Sequence, residues 1–354
     1  MIKTAQQATL ENKIRHETAR ASHIKDPAKA REAAYKAWDT IRARQAQEKN
    51  IAILKNSSIL SYMGEVFTLP PKVMGGTYLI HAPLIKKSKL TYVANGGVGK
   101  ELSDGWVLNF AIGCTFGCRF CYVDEIHKKF SFKRAGDIVY NDWGNYFSVP
   151  ENLEDAMEQT NWSRWAGEEV MLSSTHDPYL PMLHRSTRKI LEKALPAGVK
   201  FCIQTRSPLV ERDFDLLKKY ESQVRLQVSI ATMDPGFSRI IEQRVVSPSR
   251  RVETLKKAKE NGIMTGVIIA PIFPSIRARP NLITDLDAIA SALSEIKPDR
   301  IYGESIHIRG LNLAYIESAI KETLQLDGFD RRAGRLFNVI LQRHGLKGKW
   351  WLEH

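Results

Sequence analysis

From residue 105 onward the chain alternates short β-favouring apolar runs with amphipathic helical stretches, and this alternation limits the fold more than any other feature. Strand candidates are Trp106–Ile112, Glu169–Ser173, Lys200–Gln204, Arg225–Ile230, Thr265–Ala270 and Arg300–Ser305. Helical patterns lie between them at Glu151–Thr160, Arg185–Ala197, Glu211–Tyr220, Arg251–Asn261 and Asn281–Glu295. Gly198 and Gly262 each stand just before a new strand, where a helix C-cap calls for a residue that tolerates the left-handed region. Strands joined by helical crossovers pair in parallel. The fold class is therefore α/β, and six units of this size fit a partial (β/α)6, TIM-like barrel. Parallel barrels place their chemistry at the C-terminal strand ends, so site residues are sought there.

The first strand runs into Gly113-Cys114-Thr115-Phe116-Gly117-Cys118-Arg119-Phe120-Cys121-Tyr122, which holds three of the four cysteines with the spacing C-x3-C-x2-C. Three thiols in a glycine-supplied turn at a strand end can converge on one soft metal centre, because a metal stabilises the thiolate form outright. Iron–sulfur clusters normally take four thiolates. Three ligands leave an iron open, which marks a working site rather than a structural one. A zinc knot completed by His127, or a disulfide plus a free thiol, are the alternatives. The fourth cysteine, Cys202, lies mid-strand and reads as an inert buried thiol.

Other strand ends carry Ser173-Ser174-Thr175-His176-Asp177-Pro178-Tyr179, Thr205-Arg206-Ser207, Ser229-Ile230-Ala231-Thr232 and Ala270-Pro271. Hydroxyls, one acid and one base around a metal centre suit a zwitterion, with Arg206 for a carboxylate and Asp177 for an amino or hydroxyl group. Asp177-Pro178 reads equally as a helix cap or turn.

The cysteine triad followed by an aromatic residue resembles the signature of the radical S-adenosylmethionine (SAM) enzymes. That resemblance implies a [4Fe-4S] cluster on Cys114, Cys118 and Cys121, with SAM chelating the fourth iron and cleaved to a 5′-deoxyadenosyl radical. It also implies a barrel of the kind read from the alternation, and an electron donor such as flavodoxin or ferredoxin. The phrases Ser174–Tyr179, Ile203–Asp213 and Val228–Asp234 look like the spore photoproduct lyase-like (DNA repair photolyase-like) branch, with Ile241-Glu242-Gln243-Arg244 and Ser249-Arg250-Arg251 as a weaker echo. Carried over, Tyr122 would line the adenine side, Asp177, Arg206 and Ser229 would hold SAM, and Ala270 would pack near the adenine. Two departures count against spore photoproduct repair. Ser174 stands where the DNA lyases carry a hydrogen-donating cysteine, and Phe120 where they tend to carry a tyrosine.

Around the barrel, residues 1–55 read as a basic helical extension with helices at Thr9–Ser22 and Ala28–Lys55, and residues 56–104 as a loop-and-strand lead-in. Residues 105–310 form the core, and 311–354 a basic, aromatic C-terminal segment. The extension supplies six of the thirteen net positive charges. The C-terminal segment holds Arg331, Arg332, Arg335, Arg343, Lys347 and Lys349 beside Phe329, Phe337, Trp350 and Trp351. Such interleaving either tracks a DNA or RNA strand by charge and stacking, or belongs to a helix whose aromatics close the barrel. A nucleic acid or nucleotide substrate is the first expectation, a peptide or small metabolite the second, and a non-catalytic metal-knotted nucleic-acid-binding protein the third. With no apolar window near the ~20 residues of a membrane span, a cytoplasmic protein is expected.

Overall fold

The computed structural model describes residues 59–62, 65–68, 78–88, 101–128 and 143–351. The chain divides into two units, Met1–Asn56 and Ser57–His354. The two helices expected before residue 56 lie outside the described residues. Strands β1 (Ile59–Tyr62) and β2 (Glu65–Thr68) form an antiparallel pair.

The core is an eight-stranded sheet of β3 (Ile85–Lys87), β4 (Trp106–Leu108), β5 (Glu169–Leu172), β6 (Lys200–Thr205), β7 (Val224–Ser229), β8 (Met264–Ile272), β9 (Arg300–Ser305) and β10 (Lys349–Trp351), in sequence order across the sheet. β3 is antiparallel to β4, and every other pairing is parallel. The six expected strands are the six central ones, β4 to β9, in the mostly parallel α/β arrangement of a partial barrel. β4 is shorter than expected. After Leu108 the chain leaves the sheet, and Ile112 pairs instead with Ser148.

Helices α1 (Val123–Ile126), α2 (Leu153–Gln159), α3 (His184–Ala194), α4 (Phe214–Lys219), α5 (Pro235–Ile241), α6 (Pro248–Glu260), α7 (Leu282–Ile296), α8 (Asn312–Ile320) and α9 (Phe329–Arg343) connect and cover the strands. Helix α6 begins three residues earlier than its periodicity suggests, because the Ser247 side chain accepts from Arg250 N–H and Pro248 suits the first turn. The stretch read as one helix over Glu211–Tyr220 is a 3₁₀ turn, Pro208–Asp213, followed by α4. Among the described residues no helix is long and apolar enough to cross a membrane.

Side-chain alternation divides the sheet residues between two clusters. Leu108, Val170, Phe201, Ile203, Leu226, Val228, Val267 and Ile301 join the helices in the main core. Val107, Met171, Cys202, Ile268, Ala270 and Tyr302 form a second cluster on the inner face, with Leu102 and Trp351. Cys202 is fully enclosed there, and burial pushes its thiol up to about 12, in keeping with an inert residue. At the N-terminal strand ends Arg225 bonds Glu169 and the Glu101 carbonyl, closing the barrel opposite the cysteine loop.

The C-terminal segment is a helix plus a strand. Along α9, Phe329, Ala333, Phe337, Ile340 and Leu341 recur every three or four residues and are all buried. Trp351 stacks on Tyr302 at 4.9 Å between ring centroids, and Trp350 lies 5.4 Å from Phe337. The four aromatics thus pack into or against the core, while Arg331, Arg332, Arg335, Arg343, Lys347 and Lys349 stay exposed. The close approach of α9 depends on Gly303, where an added Cβ would stand 2.6 Å from Phe337 Cε2. Gly303→Ala is expected to destabilise the fold by about 1–3 kcal/mol, as other overpacked cores are. An unchanged urea midpoint would show that Phe337 yields without cost.

Candidate functional site

The cysteine loop leaves the C-terminal end of β4 and ends in α1. Its turns are local: Gly117 N–H donates to the Cys114 carbonyl at 3.3 Å and Cys121 N–H to the Cys118 carbonyl at 3.1 Å. Gly113 has φ of +86° and presses so closely on the Tyr146 carbonyl that no side chain fits. Trp143 Nε1–H donates to the Cys118 carbonyl at 3.0 Å. Cys114, Cys118 and Cys121 are all free thiols, the first two buried and the third half-buried. Burial pushes Cys114 and Cys121 up to about 12, and Cys118 higher still, so each needs a metal or a cation to ionise near neutrality.

The surroundings suit thiolates. The Cys114 sulfur faces the backbone N–H groups of Asp177 and Phe116, and that of Cys121 faces the N–H of Val123. Arg206 and Arg251 stand near Cys118, and Arg206 near Cys121. Hydrogen bonds to sulfur and nearby charge are the usual supports of iron–sulfur ligands. His127, the expected fourth ligand of a zinc knot, is engaged elsewhere, its Nε2 lying 3.1 Å from the Gly113 nitrogen and 3.2 Å from the Thr175 carbonyl oxygen. Among the described residues no three His, Cys, Asp or Glu side chains meet at a single ion position. The donor set fits an iron–sulfur cluster.

Around the loop the strand ends form a charged network. Asp177, after β5, accepts from Thr205 Oγ1 (2.7 Å), Arg206 N–H (2.7 Å) and Tyr179 N–H (2.9 Å). Its carboxylate ties the ends of β5 and β6 together, which is the cap-or-turn role. Burial raises its carboxyl above the ordinary range, with these hydrogen bonds acting the other way. Arg206 leans over Phe120 at 5.3 Å and donates through Nε to Glu242 Oε1 at 3.0 Å. Glu242, fully enclosed, also accepts from both terminal nitrogens of Arg251 and from Ser238 Oγ. Arg251 Nη1 donates in turn to the Ser229 carbonyl at 2.7 Å. Cys118, Cys121, Asp177 and Glu242 are thus among the charged or ionisable neighbours of one guanidinium.

Among the other expected site residues, Tyr122 is half-buried, with Cys121, Glu304, Arg309 and Arg206 around its hydroxyl. Ser229 is enclosed at the end of β7, its hydroxyl without a hydrogen-bond partner among the described residues. Ala270 lies in the inner wall with Ile268 and Met171. Ser174 accepts from Asn109 Nδ2 at 3.0 Å, and its own N–H donates to Asn109 Oδ1 at 2.9 Å. Sequence reading did not find Glu242 and Arg251 as the holders of Arg206. Their signal in the sequence was the weaker echo of the spore photoproduct lyase-like branch in Ile241-Glu242-Gln243-Arg244 and Ser249-Arg250-Arg251, which named no partner for either.

The model of the Radical SAM superfamily matches residues 108–286, from the end of β4 into α7. The chain belongs to that superfamily and is an enzyme of the radical SAM class. The uncharacterized protein ORF301 of Acidianus two-tailed virus is 56% identical over 283 residues, covering 80% of this chain and 94% of that protein. An uncharacterized protein of Methanocaldococcus jannaschii is 31% identical over 248 residues, covering 67% and 86%. Among solved structures, a spore photoproduct lyase variant with bound AdoMet and dinucleoside spore photoproduct aligns with a TM-score of 0.57 at 13% identity, covering 78% of this chain and 82% of that one. The fold is of the spore photoproduct lyase type.

Proposed function

We propose that Cys114, Cys118 and Cys121 hold a [4Fe-4S] cluster and that SAM binds across the strand ends with its carboxylate on Arg206. The observation that carries this reading is the placement of two of the three free thiols, Cys118 and Cys121, beside the guanidinium of Arg206, which Glu242 holds and Arg251 backs by pairing with the same carboxylate. When bound, the cluster and SAM supply a 5′-deoxyadenosyl radical able to take a hydrogen atom from a substrate. The protein's part is to bind, orient and enclose. Asp177 keeps the ends of β5 and β6 in register around the cysteine loop. Ser229 offers the unsatisfied hydroxyl, Tyr122 its ring, and Ala270 a small apolar wall for the adenosyl group. The electron enters from a donor of the flavodoxin or ferredoxin type.

The substrate proposed is a nucleic acid or nucleotide. The reading is supported by the net charge of +13 and by a fold shared with a protein whose structure holds a dinucleoside. The reaction proposed is not spore photoproduct repair. Ser174 offers a hydroxyl engaged with Asn109 in place of a thiol, and Phe120 has no hydroxyl to relay a hydrogen atom. One observation favours a peptide or small metabolite instead. The exposed large apolar side chains among the described residues are Leu79, Met264, Ile283, Ile308, Leu311 and Val339, none of them an aromatic face for base stacking.

The expected result after anaerobic reconstitution and reduction is 5′-deoxyadenosine formation from SAM, stimulated by DNA or tRNA in a salt-dependent manner. Cleavage with no response to nucleic acid at low salt would move the substrate to the second class. Zinc in place of iron, with no cleavage, would end the radical SAM reading of the cysteines.

A further inference from the structure

Arg244 is absorbed by neither the barrel nor the Arg206 network. It is half-buried just beyond α5, 129 residues from the loop it touches. Its Nη1 donates to the Thr115 carbonyl at 3.1 Å and to the Gly144 carbonyl at 3.0 Å, and its Nη2 to Asn145 Oδ1 at 3.0 Å. Thr115 directly follows Cys114, so the guanidinium bonds the backbone between the first two cysteines. Two glycines make room for it. A Cβ at Gly117 or at Gly144 would each stand 2.8 Å from Arg244 Nη1. The same segment grips the loop again, since Arg119 N–H donates to the Ile241 carbonyl at 2.9 Å and Arg119 Nε to the Ile240 carbonyl at 3.0 Å. Its charge is also felt at the Cys114 and Cys118 sulfurs.

We infer that Arg244 is a positioning residue of the cysteine loop, and that its charge favours the reduced state of the group the loop carries. This rests on the proposed cluster site. A fixed cation beside two thiolates stabilises the more negative, one-electron-reduced cluster and raises its potential; net charge and hydrogen bonding are the protein's levers on that quantity. The electron comes from the donor protein, and no bond in the chain is made or broken. Lysine would keep the charge but cannot make three bonds from one planar fork. Charge and clamp are therefore separable by substitution.

The test uses the full-length protein, reconstituted anaerobically, as wild type, Arg244→Gln and Arg244→Lys. Arg277→Gln, at an 85% exposed side chain, serves as the control for loss of one charge. Iron retained after desalting reads the clamp, and redox titration followed by absorbance and EPR reads the charge. For Arg244→Gln the reduced-to-oxidised ratio at fixed ambient potential should fall about tenfold, a shift of 59 mV to more negative potential for one electron, with less iron retained. Arg244→Lys should lose iron while its remaining clusters titrate near the wild-type potential, and Arg277→Gln should change neither quantity. The inference is overturned if Arg244→Gln keeps both iron and potential, or if Arg277→Gln shifts the potential equally. If Arg244→Gln holds too little iron to titrate, Arg244→Lys decides, and a displaced potential there overturns the inference. A wild-type protein that takes up no iron overturns the cysteine reading and this inference with it; iron uptake with an inert Arg244 overturns this inference alone.

Discussion

Cys118→Ala is expected to abolish SAM cleavage and to leave little iron on the protein. Removing an outer-shell partner of a metal ligand typically costs about 10–100-fold in affinity. Here the ligand itself is lost, so retained iron and 5′-deoxyadenosine formation should both fall by more than ~100-fold. The matched control is Cys202→Ala. That thiol is enclosed in the inner wall, away from the loop, so its loss should cost modest stability and leave iron content unchanged. Iron, sulfide and 5′-deoxyadenosine measured on the two variants together check the assignment. If Cys202→Ala also lost its iron, the ligand set would have been drawn from the wrong cysteines.

The second large effect is expected at the ion pair behind Arg206. Arg251 and Glu242 are both enclosed, with side-chain exposures of 1% and 0%. Removing Arg251 leaves the enclosed Glu242 with Arg206 as its remaining counter-charge, and Arg251→Met should destabilise the protein by roughly 3 kcal/mol, the low end for a broken buried pair. The double variant Glu242→Leu with Arg251→Met should recover much of that loss, because an apolar pair of similar volume avoids the desolvation cost. It should not recover SAM binding, since Arg206 then has no carboxylate to hold it. Urea midpoints at unchanged m value, with SAM binding measured separately, distinguish the two roles. A double variant that binds SAM as well as wild type would show that Arg206 needs no holder.

The same pair carries a pH signature. Burial alone would raise the Glu242 carboxyl, but Arg251 and Arg206 outweigh burial and hold it below the ordinary range. A carboxyl depressed in the folded state adds stability above its unfolded pKa, about 4.3, and loses that contribution as pH falls through the folded value. The wild type should therefore lose this group's contribution progressively as pH falls below about 4.3. Arg251→Met, with one counter-charge fewer to depress the Glu242 carboxyl, should show a smaller loss of stability over that acid range than wild type, read from urea midpoints at a series of pH values.

Much of this was legible in the sequence. The six central strands and most of the covering helices follow from periodicity, because side-chain spacing along one element depends only on that element. The cysteine loop was legible for the same reason, since C-x3-C-x2-C sets three thiols on consecutive turns of a single short segment. Strand β10 was not, because three residues are too few to show a period and only pairing with β9 makes Lys349–Trp351 a strand. The aromatics at the C-terminus had the right composition for either a stacking track or a core, and packing against Tyr302 and Phe337 assigned them to the core.

Asp177 shows the boundary most clearly. As an acid at a strand end it could face a ligand or fasten the chain, and composition cannot distinguish these. The structure gives its two oxygens to Thr205, Arg206 and Tyr179. Arg206 in turn depends on Glu242, 36 residues away, and the Thr115 carbonyl on Arg244, 129 residues away. The alternating elements and the thiol spacing could be read along the chain, because both arise from short-range geometry. The tertiary structure decided which charges meet, because those partners come within hydrogen-bonding distance only after the strands have assembled and brought their ends to one rim.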